Sequence, residues 1–302
     1  VVKVTGMHED VNWFQNRMER TNETSGLIFA DNGLELMVLC DQKAISNATD
    51  IVVTFCNGTK SPAVMKKVDS NTGFAVLAVE LENVTENTRE AISYARIGSS
   101  ASTSIVGNLV IAVGSPLGYS DSLCYGMITS NRNPVSLVDA NYTLVTTDIY
   151  GSQNASGVLI NTLGQVIGII CQDYNNADMK NQISAIGITE FKKTMEDLSN
   201  EKDAALLGVY VTDVTQEAQT TLSVPDGAYV TDVMLHSPAM ENGIRKGDII
   251  VAVGDVVVTG VSDYLEELSD YAPEDEVNIS IMRAGVDGYQ EMDIKVVLAS
   301  RK

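Results

Sequence analysis

The sequence predicts a mainly β domain followed by a small α/β domain. Short β-branched apolar runs, separated by Gly, Asn, Asp and Ser, recur through the first part of the chain, as is typical of a β-barrel or sandwich. Clear helical spacing first occurs near residue 190, and beyond it strand-like and helix-like segments alternate to the end. The length of 302 residues fits two domains, which we place at 1–200 and 201–302.

The predicted strands of the first domain share a length of four to eight residues and high β-branched content. They are VVKV (1–4), LIFA (27–30), LMVLC (36–40), IVVTFC (51–56), FAVLAVEL (74–81), LVIAVG (109–114), YGMITS (125–130) and VIGIIC (166–171). Turn-forming residues between the runs favour an all-β domain.

A helix followed by the linker SNEKDAA (199–205) is predicted within 189–205, where Phe191, Met195 and Leu198 are spaced to share one face of the helix. It ends the first domain, and the polar stretch at its end is the expected linker. Predicted strands of the second domain lie at 206–211, 228–233, 249–254, 277–283 and 293–298, and predicted helices at 237–243 and 262–272. This order fits a compact α/β sandwich.

The negative net charge argues against nucleic acid and anionic lipid as partners. The net charge is −20, and 201–302 contributes −12 of it from 7 basic and 19 acidic side chains. This charge repels nucleic acid and anionic lipid, and no apolar run is long enough to span a bilayer. We therefore expect no nucleic-acid partner and no membrane insertion of this chain. Because Val1 already begins a strand, we expect a signal or anchor segment to have preceded it.

Four cysteines, Cys40, Cys56, Cys124 and Cys171, show neither CxxC pairs nor Cys/His metal spacing. We expect no metal site and no cofactor. Buried free thiols and a single disulfide are both compatible with this pattern.

The block SPAMENGIRKGDIIVAVGD (237–255) joins a short helix, a tight turn and a strand. It resembles the PDZ domains of the HtrA family, and LLGV (206–209) resembles their carboxylate-binding loop. The resemblance implies that backbone N–H groups around Gly208 hold a peptide's terminal carboxylate while the peptide adds to a sheet edge beside an apolar pocket. The peptide-binding residues implied are Leu206, Leu207, Gly208, Val209 and Leu265.

The first domain resembles the trypsin-like protease domain of the same family. The resemblance rests on four blocks, TSGLIFADNGLELMVLC (24–40), FAVLAV (74–79), VGNLVIAVGSPLGYSDSLCYGMITS (106–130) and TLGQVIGI (162–169). It implies a trypsin-like double β-barrel, a location in the periplasm or on the cell surface, and trimers formed through the barrel domain.

Peptide hydrolysis requires a serine whose proton a histidine removes, with a buried carboxylate orienting the imidazole. By resemblance, the histidine position falls on Cys40 and the aspartate position on Gly73. Asp69 corresponds to a separate acidic position, and we expect it to be a solvated turn residue.

The nucleophile position lies within TTDIYGSQNASGVLIN (146–161). Aligned from the downstream side it is Ala155, and aligned from Asp148 it is Ser156, so a one-residue deletion lies on one side or the other. The glycines that free the backbone for an oxyanion hole in the family are mostly replaced in QNASGV (153–158).

Few groups are able to replace the missing base. The chain has two histidines, His8 and His236, and each is expected to be an exposed polar side chain. Lys43 follows Cys40 in a polar stretch where Asp41 and Asp50 favour its charged form. We therefore expect no intact catalytic residues.

Three functions follow from these patterns. The first is a catalytically inactive HtrA-like protein that binds polypeptides or protein C-termini, with a preference for basic ligands, in an extracytoplasmic quality-control or scaffolding role. The second is an active serine endopeptidase that uses Ser156 with a non-standard base. The third is a structural subunit of a trimer, with Trp13 and Phe14 as candidate interface residues.

Overall fold

The computed structural model describes residues 1–11, 17–286 and 288–301. The chain forms two compact units, the first from 1–134 with 143–201 and the second from 135–142 with 202–302. Residues 135–142, at the turn between two long strands, thus group with the second unit, which the sequence did not indicate. Trp13 and Phe14 lie outside the described residues.

The secondary structure runs as follows in chain order. The elements are β1 (Val2–Val11), β2 (Arg17–Asp31), β3 (Glu35–Asp41), β4 (Asp50–Thr54), β5 (Lys60–Val68), β6 (Phe74–Glu80), α1 (Glu86–Ala91), β7 (Arg96–Ile97), β8 (Leu109–Ser115), β9 (Ser122–Leu137), β10 (Ala140–Tyr150), β11 (Ser156–Asn161), β12 (Gln165–Ile170), β13 (Gln182–Gly187), α2 (Ile188–Ser199), β14 (Ala204–Leu206), β15 (Val209–Asp213), α3 (Gln216–Leu222), β16 (Ala228–Val233), α4 (Pro238–Glu241), β17 (Ile249–Val253), β18 (Val256–Val257), α5 (Val261–Leu268), β19 (Glu276–Gly285), β20 (Gly288–Val297) and β21 (Ala299–Arg301).

The first unit contains two β-barrels, which confirms the mainly β prediction. One barrel closes in the order β1-β2-β3-β6-β5-β4. The other follows the order β11-β8-β9-β10-β13-β12, and pairing of β11 with β12 closes it. Buried aliphatic side chains fill each interior, among them Val38 and Leu77 in the first barrel and Val110 and Leu159 in the second. Removing these side chains from water is the main force that closes the barrels.

Several predicted bounds need correction. Strands β5, β10, β11 and β13 were not predicted, because they carry charged or hydroxyl side chains where an apolar run was sought. The helix predicted within 189–205 is α2, which ends at Ser199, where the predicted linker SNEKDAA (199–205) begins, but Ala204 within that linker already begins a strand. Helices α1 and α3 were also missed, since they are short and bury few apolar side chains.

The second unit is an α/β fold. Its main sheet has the strand order β15-β16-β17-β19-β20, so β15 lies at an edge. Helix α5 packs on the core through Tyr264, which is fully buried. Asp248 is also buried, and its carboxylate accepts two hydrogen bonds of 2.7 Å from the Arg283 guanidinium, which joins the 245–248 turn to β19. A planar guanidinium matched to both carboxylate oxygens gives a strong, directional contact.

Among the described residues, no helix combines the length and apolar character that crossing a bilayer requires. In the same residues, His, Cys, Asp and Glu side chains form no group of three or more placed to hold a metal ion.

Candidate functional site

A small cavity lies in the first unit, against β2, β3, β6, β11 and β12. Its volume is about 10 Å³, which is room for about one water molecule. The polar or thiol side chains on its wall are those of Ser25, Cys40, Asp41 and Ser156. The cavity therefore brings together two of the predicted site residues, Cys40 and Ser156, but its volume is far below that of a peptide side chain.

Ser156 begins β11 and is 9% exposed. Its hydroxyl oxygen accepts a hydrogen bond of 3.0 Å from the backbone N–H of Ser25. The next residue, Gly157, has φ +122°, and a Cβ there would lie 2.1 Å from the Val113 carbonyl oxygen. Glycine is required at 157 because the backbones of β11 and β8 approach so closely. The strand around Ser156 is therefore fixed by tight packing.

Cys40 lies within β3, between β2 and β6, and is 2% exposed. Burial, with a smaller contribution from the charge of Asp41, raises the pKa of the Cys40 thiol far above its usual range. A thiol whose pKa is raised is protonated at neutral pH, and the protonated thiol is a poor nucleophile. Ala155 is buried in the core of the second barrel and does not line the cavity.

Gly73 lies in a turn at φ +72°, where its N–H donates to the Asp69 carbonyl oxygen at 2.8 Å. The Asp69 carboxylate accepts hydrogen bonds from the Thr72 hydroxyl at 2.6 Å and from the Thr72 N–H at 3.1 Å. Asp69 is only 4% exposed, so the expectation of a solvated residue was wrong. Its carboxylate is buried because it closes this turn from inside.

Neither histidine contacts Ser156 within the described parts of the chain. His8 was expected in an exposed loop but lies half-buried in β1, with Nε2 3.2 Å from Asn22 Nδ2 and 3.4 Å from the Ala44 carbonyl oxygen. The long pairing of β1 with β2 places it there. His236 is exposed and belongs to the second unit.

Lys43 is held as a cation. Its Nζ lies 2.6 Å from an Asp173 carboxylate oxygen. Partial burial lowers the pKa of Lys43, but its hydrogen bond to Asp173 and the charges of Asp41 and Asp173 outweigh this and raise it. A lysine acts as a base only after losing its proton, so this arrangement opposes that role.

All four cysteines are free thiols. Cys171 is buried like Cys40, and burial is the main cause that raises its pKa to about 12. Cys56 is exposed and Cys124 is partly exposed. Of the two arrangements left open by the sequence, the structure has the free thiols.

The predicted peptide-binding residues lie together in the second unit. Leu207 and Val209 are fully buried in the core, against which Leu265 packs, while Leu206 ends β14. Gly208 has φ +94°, and a Cβ there would lie 2.2 Å from the Ser237 Cβ, so only glycine fits this turn. The loop has three consecutive backbone N–H groups that donate to one acceptor, and its role in holding a peptide carboxylate stays a prediction.

A carboxylate of this chain already accepts from that loop. The Oδ2 atom of Asp139 accepts from the N–H groups of Leu207 at 2.8 Å and Gly208 at 2.7 Å. Its Oδ1 atom accepts from the Val209 N–H at 3.1 Å and the Tyr264 hydroxyl at 2.7 Å. All five residues belong to the second unit. Burial raises the pKa of the Asp139 carboxyl, and these four hydrogen bonds lower it in part.

Sequence reasoning missed both Asp139 and Tyr264. Asp139 lies 68 residues before Leu207, and nothing in the local sequence links the two positions. Its one local signal is a turn, since VDAN (138–141) contains residues that tolerate positive φ and Asp139 has φ +47°. Tyr264 was recognised only as part of a helix.

Two family models match the chain. A trypsin-like peptidase domain matches residues 24–169, and a PDZ domain matches residues 197–296. The first match lies mainly in the first unit and the second mainly in the second unit.

Curated relatives share about a quarter of their residues with this chain. "Serine protease Do-like HtrA" of Lactococcus lactis is 27% identical over 89% of this chain and 69% of its own length. "Serine endoprotease DegS" of Haemophilus influenzae is 25% identical over 89% of this chain and 76% of its own. "Probable periplasmic serine endoprotease DegP-like" of Halomonas elongata is 26% identical over 88% of this chain, which spans about half of that relative (55%).

Solved structures share the fold along the whole chain. "HtrA-type protease AlgW with decapeptide" aligns with a TM-score of 0.68 and 20% identity, over 100% of this chain and 95% of that one. The serine endoprotease from Yersinia pestis aligns with a TM-score of 0.61 and 22% identity, over 99% of this chain and 93% of that one.

Proposed function

Because the chain belongs to the HtrA-type family, in which a trypsin-like peptidase domain precedes a PDZ domain, we propose that it is a non-hydrolytic polypeptide-binding member. The observation that carries this proposal is the hydrogen bond of the Ser156 hydroxyl, which accepts from the Ser25 N–H and has no imidazole partner in the described parts of the chain. A serine hydroxyl without an adjacent base stays protonated and is a poor nucleophile.

The surroundings of Ser156 support the same conclusion. Cys40, at the proposed histidine position, is a buried protonated thiol, and Gly73, at the proposed aspartate position, has no side chain. The cavity beside Ser156 has a volume of about 10 Å³, which is room for about one water molecule. We infer that neither alignment of the nucleophile position, Ala155 or Ser156, yields a working triad.

Reaction with a fluorophosphonate tests the loss of hydrolysis, with trypsin as the positive control. We expect no labelling of Ser156 and no cleavage of casein by the purified chain. Covalent labelling at Ser156, lost in Ser156→Ala, would instead favour the alternative of an active endopeptidase with a base from outside the described contacts.

We propose that polypeptides bind at the loop LLGV (206–209) of the PDZ domain, which we call the PDZ loop. The N–H groups of Leu207, Gly208 and Val209 converge on one carboxylate, that of Asp139, so the loop is suited to a carboxylate ligand. The edge strand β15 provides main-chain groups for an added peptide strand. Polypeptides with a free C-terminus are therefore the proposed ligands.

The charge of −12 over 201–302 favours ligands with basic residues upstream of the C-terminus. Peptides that differ only in lysine or glutamate at these positions test this, and equal affinity would contradict it. An amidated peptide is the matched control for the terminal carboxylate.

We propose an extracytoplasmic location with a quality-control or scaffolding role. The location rests on relatives named periplasmic serine endoproteases. Immunogold labelling of cells, or fractionation with cytoplasmic and surface markers, tests it.

A role as a subunit of a trimer is a second candidate, and one observation favours it. Alternate side chains of β9, Leu123, Tyr125 and Met127, are 63%, 75% and 50% exposed, and they form an apolar row on one face of the second barrel. Rows of this kind on a soluble domain commonly mark protein interfaces.

Solution mass tests the trimer. We expect Leu123→Ser with Tyr125→Ser to reduce a trimer to monomers, whereas Leu163→Ser, at an exposed turn outside this row, leaves the mass unchanged. A monomeric wild-type chain would contradict the subunit role.

A further inference from the structure

The loop that is proposed to bind a C-terminus is already occupied by this chain. Three consecutive N–H groups, those of Leu207, Gly208 and Val209, donate to the two oxygens of Asp139, and the Tyr264 hydroxyl donates a fourth hydrogen bond. Each N–H and the hydroxyl have one proton to donate. A ligand carboxylate therefore meets no free donor among these four groups while Asp139 is in place.

The same segment also covers the sheet edge that a peptide strand would join. The backbone N–H of Asp139 donates to the Val209 carbonyl oxygen at 2.9 Å. The Ser136 hydroxyl and the Asn141 amide both donate to the Val211 carbonyl oxygen, at 3.0 and 3.1 Å. Val209 and Val211 are alternate residues of β15, whose carbonyl oxygens point away from the sheet at its edge. The N–H donors of the loop 207–209 and the carbonyl acceptors of Val209 and Val211 at the edge of β15 are thus all hydrogen-bonded to residues of the segment 135–142.

The position of Asp139 is held by several further contacts. Arg301 donates to the carbonyl oxygens of Val138 and Asp139, each at 3.4 Å. Asp139 itself lies in the left-handed region at φ +47°, which disfavours most residues and is better tolerated by Asp, Asn and Gly. A buried carboxylate is costly unless it is hydrogen-bonded, and here each oxygen accepts two hydrogen bonds. These contacts indicate a specific, ordered occupant.

We propose that residues 135–142 are an internal ligand of the PDZ groove, by which we mean the loop 207–209 and the adjoining edge of β15. The Asp139 carboxylate takes the place of a peptide's terminal carboxylate, so that an external C-terminus binds only after this segment has left. This proposal rests on the proposed peptide-binding function and adds its regulation. The measured affinity for an external peptide equals the affinity of the open groove multiplied by the open fraction.

Two variants of Asp139 test the proposal. Asp139→Asn keeps the size and tolerates the positive φ, but it places an NH₂ group where one carboxylate oxygen accepts. Asp139→Gly removes the side chain and fits φ +47° without strain, so it remains informative if the first variant folds poorly. Asp255→Asn, an exposed carboxylate of the same unit outside the groove, is the matched control for charge.

The first measurement needs no ligand. Residue-resolved amide hydrogen exchange of the intact chain reports on the N–H groups of Leu207, Gly208 and Val209. We expect exchange at these amides to be about tenfold faster or more in both Asp139 variants than in the wild type, because their acceptor is lost. Asp255→Asn is expected to match the wild type.

The second measurement uses two fluorescein-labelled decapeptides with lysines upstream and Val-Val at the end, one with a free carboxylate and one amidated. We expect the free acid to bind both Asp139 variants about tenfold more tightly or more than the wild type, which corresponds to an open fraction of about one tenth or less. The amidated peptide is expected to bind neither the wild type nor the Asp139 variants.

The outcomes separate the two proposals. Unchanged exchange at the three amides, with equal affinity of the free acid for all four proteins, overturns the internal ligand and leaves the peptide-binding function intact. Accelerated exchange without binding of the free acid to either Asp139 variant shows that Asp139 only caps the loop, and it overturns the peptide-binding function and the internal ligand together.

Discussion

The backbone N–H of Ser25 donates to the hydroxyl oxygen of Ser156 at 3.0 Å, which ties β2 to β11 across the first unit. Both residues are buried, so bulk water competes little for either group. In a trypsin-like fold a serine near this position is expected to face substrate. Here it satisfies a backbone donor between two strands, and its contribution is to stability.

Replacing Ser156 with alanine is expected to lower the free energy of unfolding by about 1–3 kcal/mol, because the Ser25 N–H is left buried without an acceptor. Urea denaturation of the first unit measures the change. Ser152→Ala is the matched control, since the Ser152 hydroxyl accepts from the exposed Asn154 N–H, which water is able to satisfy. Equal losses in the two variants would contradict the structural role of Ser156.

The stability of the first unit is expected to fall in alkaline solution. Burial raises the pKa of Cys171 to about 12, whereas a thiol in the unfolded chain titrates near about 8.5. A group whose pKa is raised on folding stabilises the fold below the unfolded value and loses that contribution as pH rises toward the folded value. Between pH 8 and pH 10 this thiol is expected to remove about 2 kcal/mol from the free energy of unfolding.

Comparison with Cys171→Ala isolates that contribution. The variant is less stable at pH 8 because it loses packing, but its decrease from pH 8 to pH 10 should be smaller than that of the wild type by about 2 kcal/mol. Cys56→Ala, which changes an exposed thiol, is expected to keep the wild-type slope. Parallel curves for the wild type and Cys171→Ala would refute the assignment.

Arg283→Met is expected to destabilise the second unit by about 3 kcal/mol, since it leaves the buried Asp248 carboxylate without its cationic partner. Hydrogen exchange of amides in 202–302 measures the loss without assuming that the whole chain unfolds in one step. Lys295→Met removes an exposed ion pair with Glu276 and is expected to cost less than about 1 kcal/mol. A similar loss of stability in the two variants would show that the Arg283–Asp248 pair contributes no more to the stability of the second unit than an exposed ion pair does.

Gly208 and Gly247 allow a matched test of the loop, because their φ angles are +94° and +93°. Alanine at 247 meets open space, so the expected cost is about 1–2 kcal/mol for the left-handed backbone alone. Alanine at 208 meets the Ser237 Cβ as well and is expected to cost more and to weaken binding of carboxylate peptides. Equal stability of the two variants would indicate that the loop yields easily to a side chain at 208.

Continuous apolar runs were sufficient to predict the central strands of both barrels, and the spacing of Phe191, Met195 and Leu198 was sufficient to predict α2, where all three are buried. Strands such as β5 and β10 were missed because the period of a half-polar strand is weak in a single sequence. A local hydrophobic pattern shows which residues of a segment are buried. The pattern is harder to detect where one face of a strand is charged or rich in hydroxyl groups.

The sequence singled out the loop around Gly208 as a candidate carboxylate-binding loop, but it did not predict the contact of this loop with Asp139. Contacts between Asp139 and Leu207 join positions far apart in the chain, and no local periodicity encodes such a pairing. The same limit applies to Ser156, whose hydrogen-bonding partner lies 131 residues away at Ser25. The partners of Ser25 and Leu207 can therefore be identified only from the three-dimensional structure.

The small cavity beside Cys40 and Ser156 limits the size of the side chain that position 40 can hold. An imidazole introduced at 40 would have to enter a space of about 10 Å³, and the surrounding strands would have to move apart to admit it. Cys40→His alone is therefore expected to lower the stability of the first unit. The packing around position 40 opposes a larger side chain there, and an imidazole would need compensating replacements in the strands that surround it.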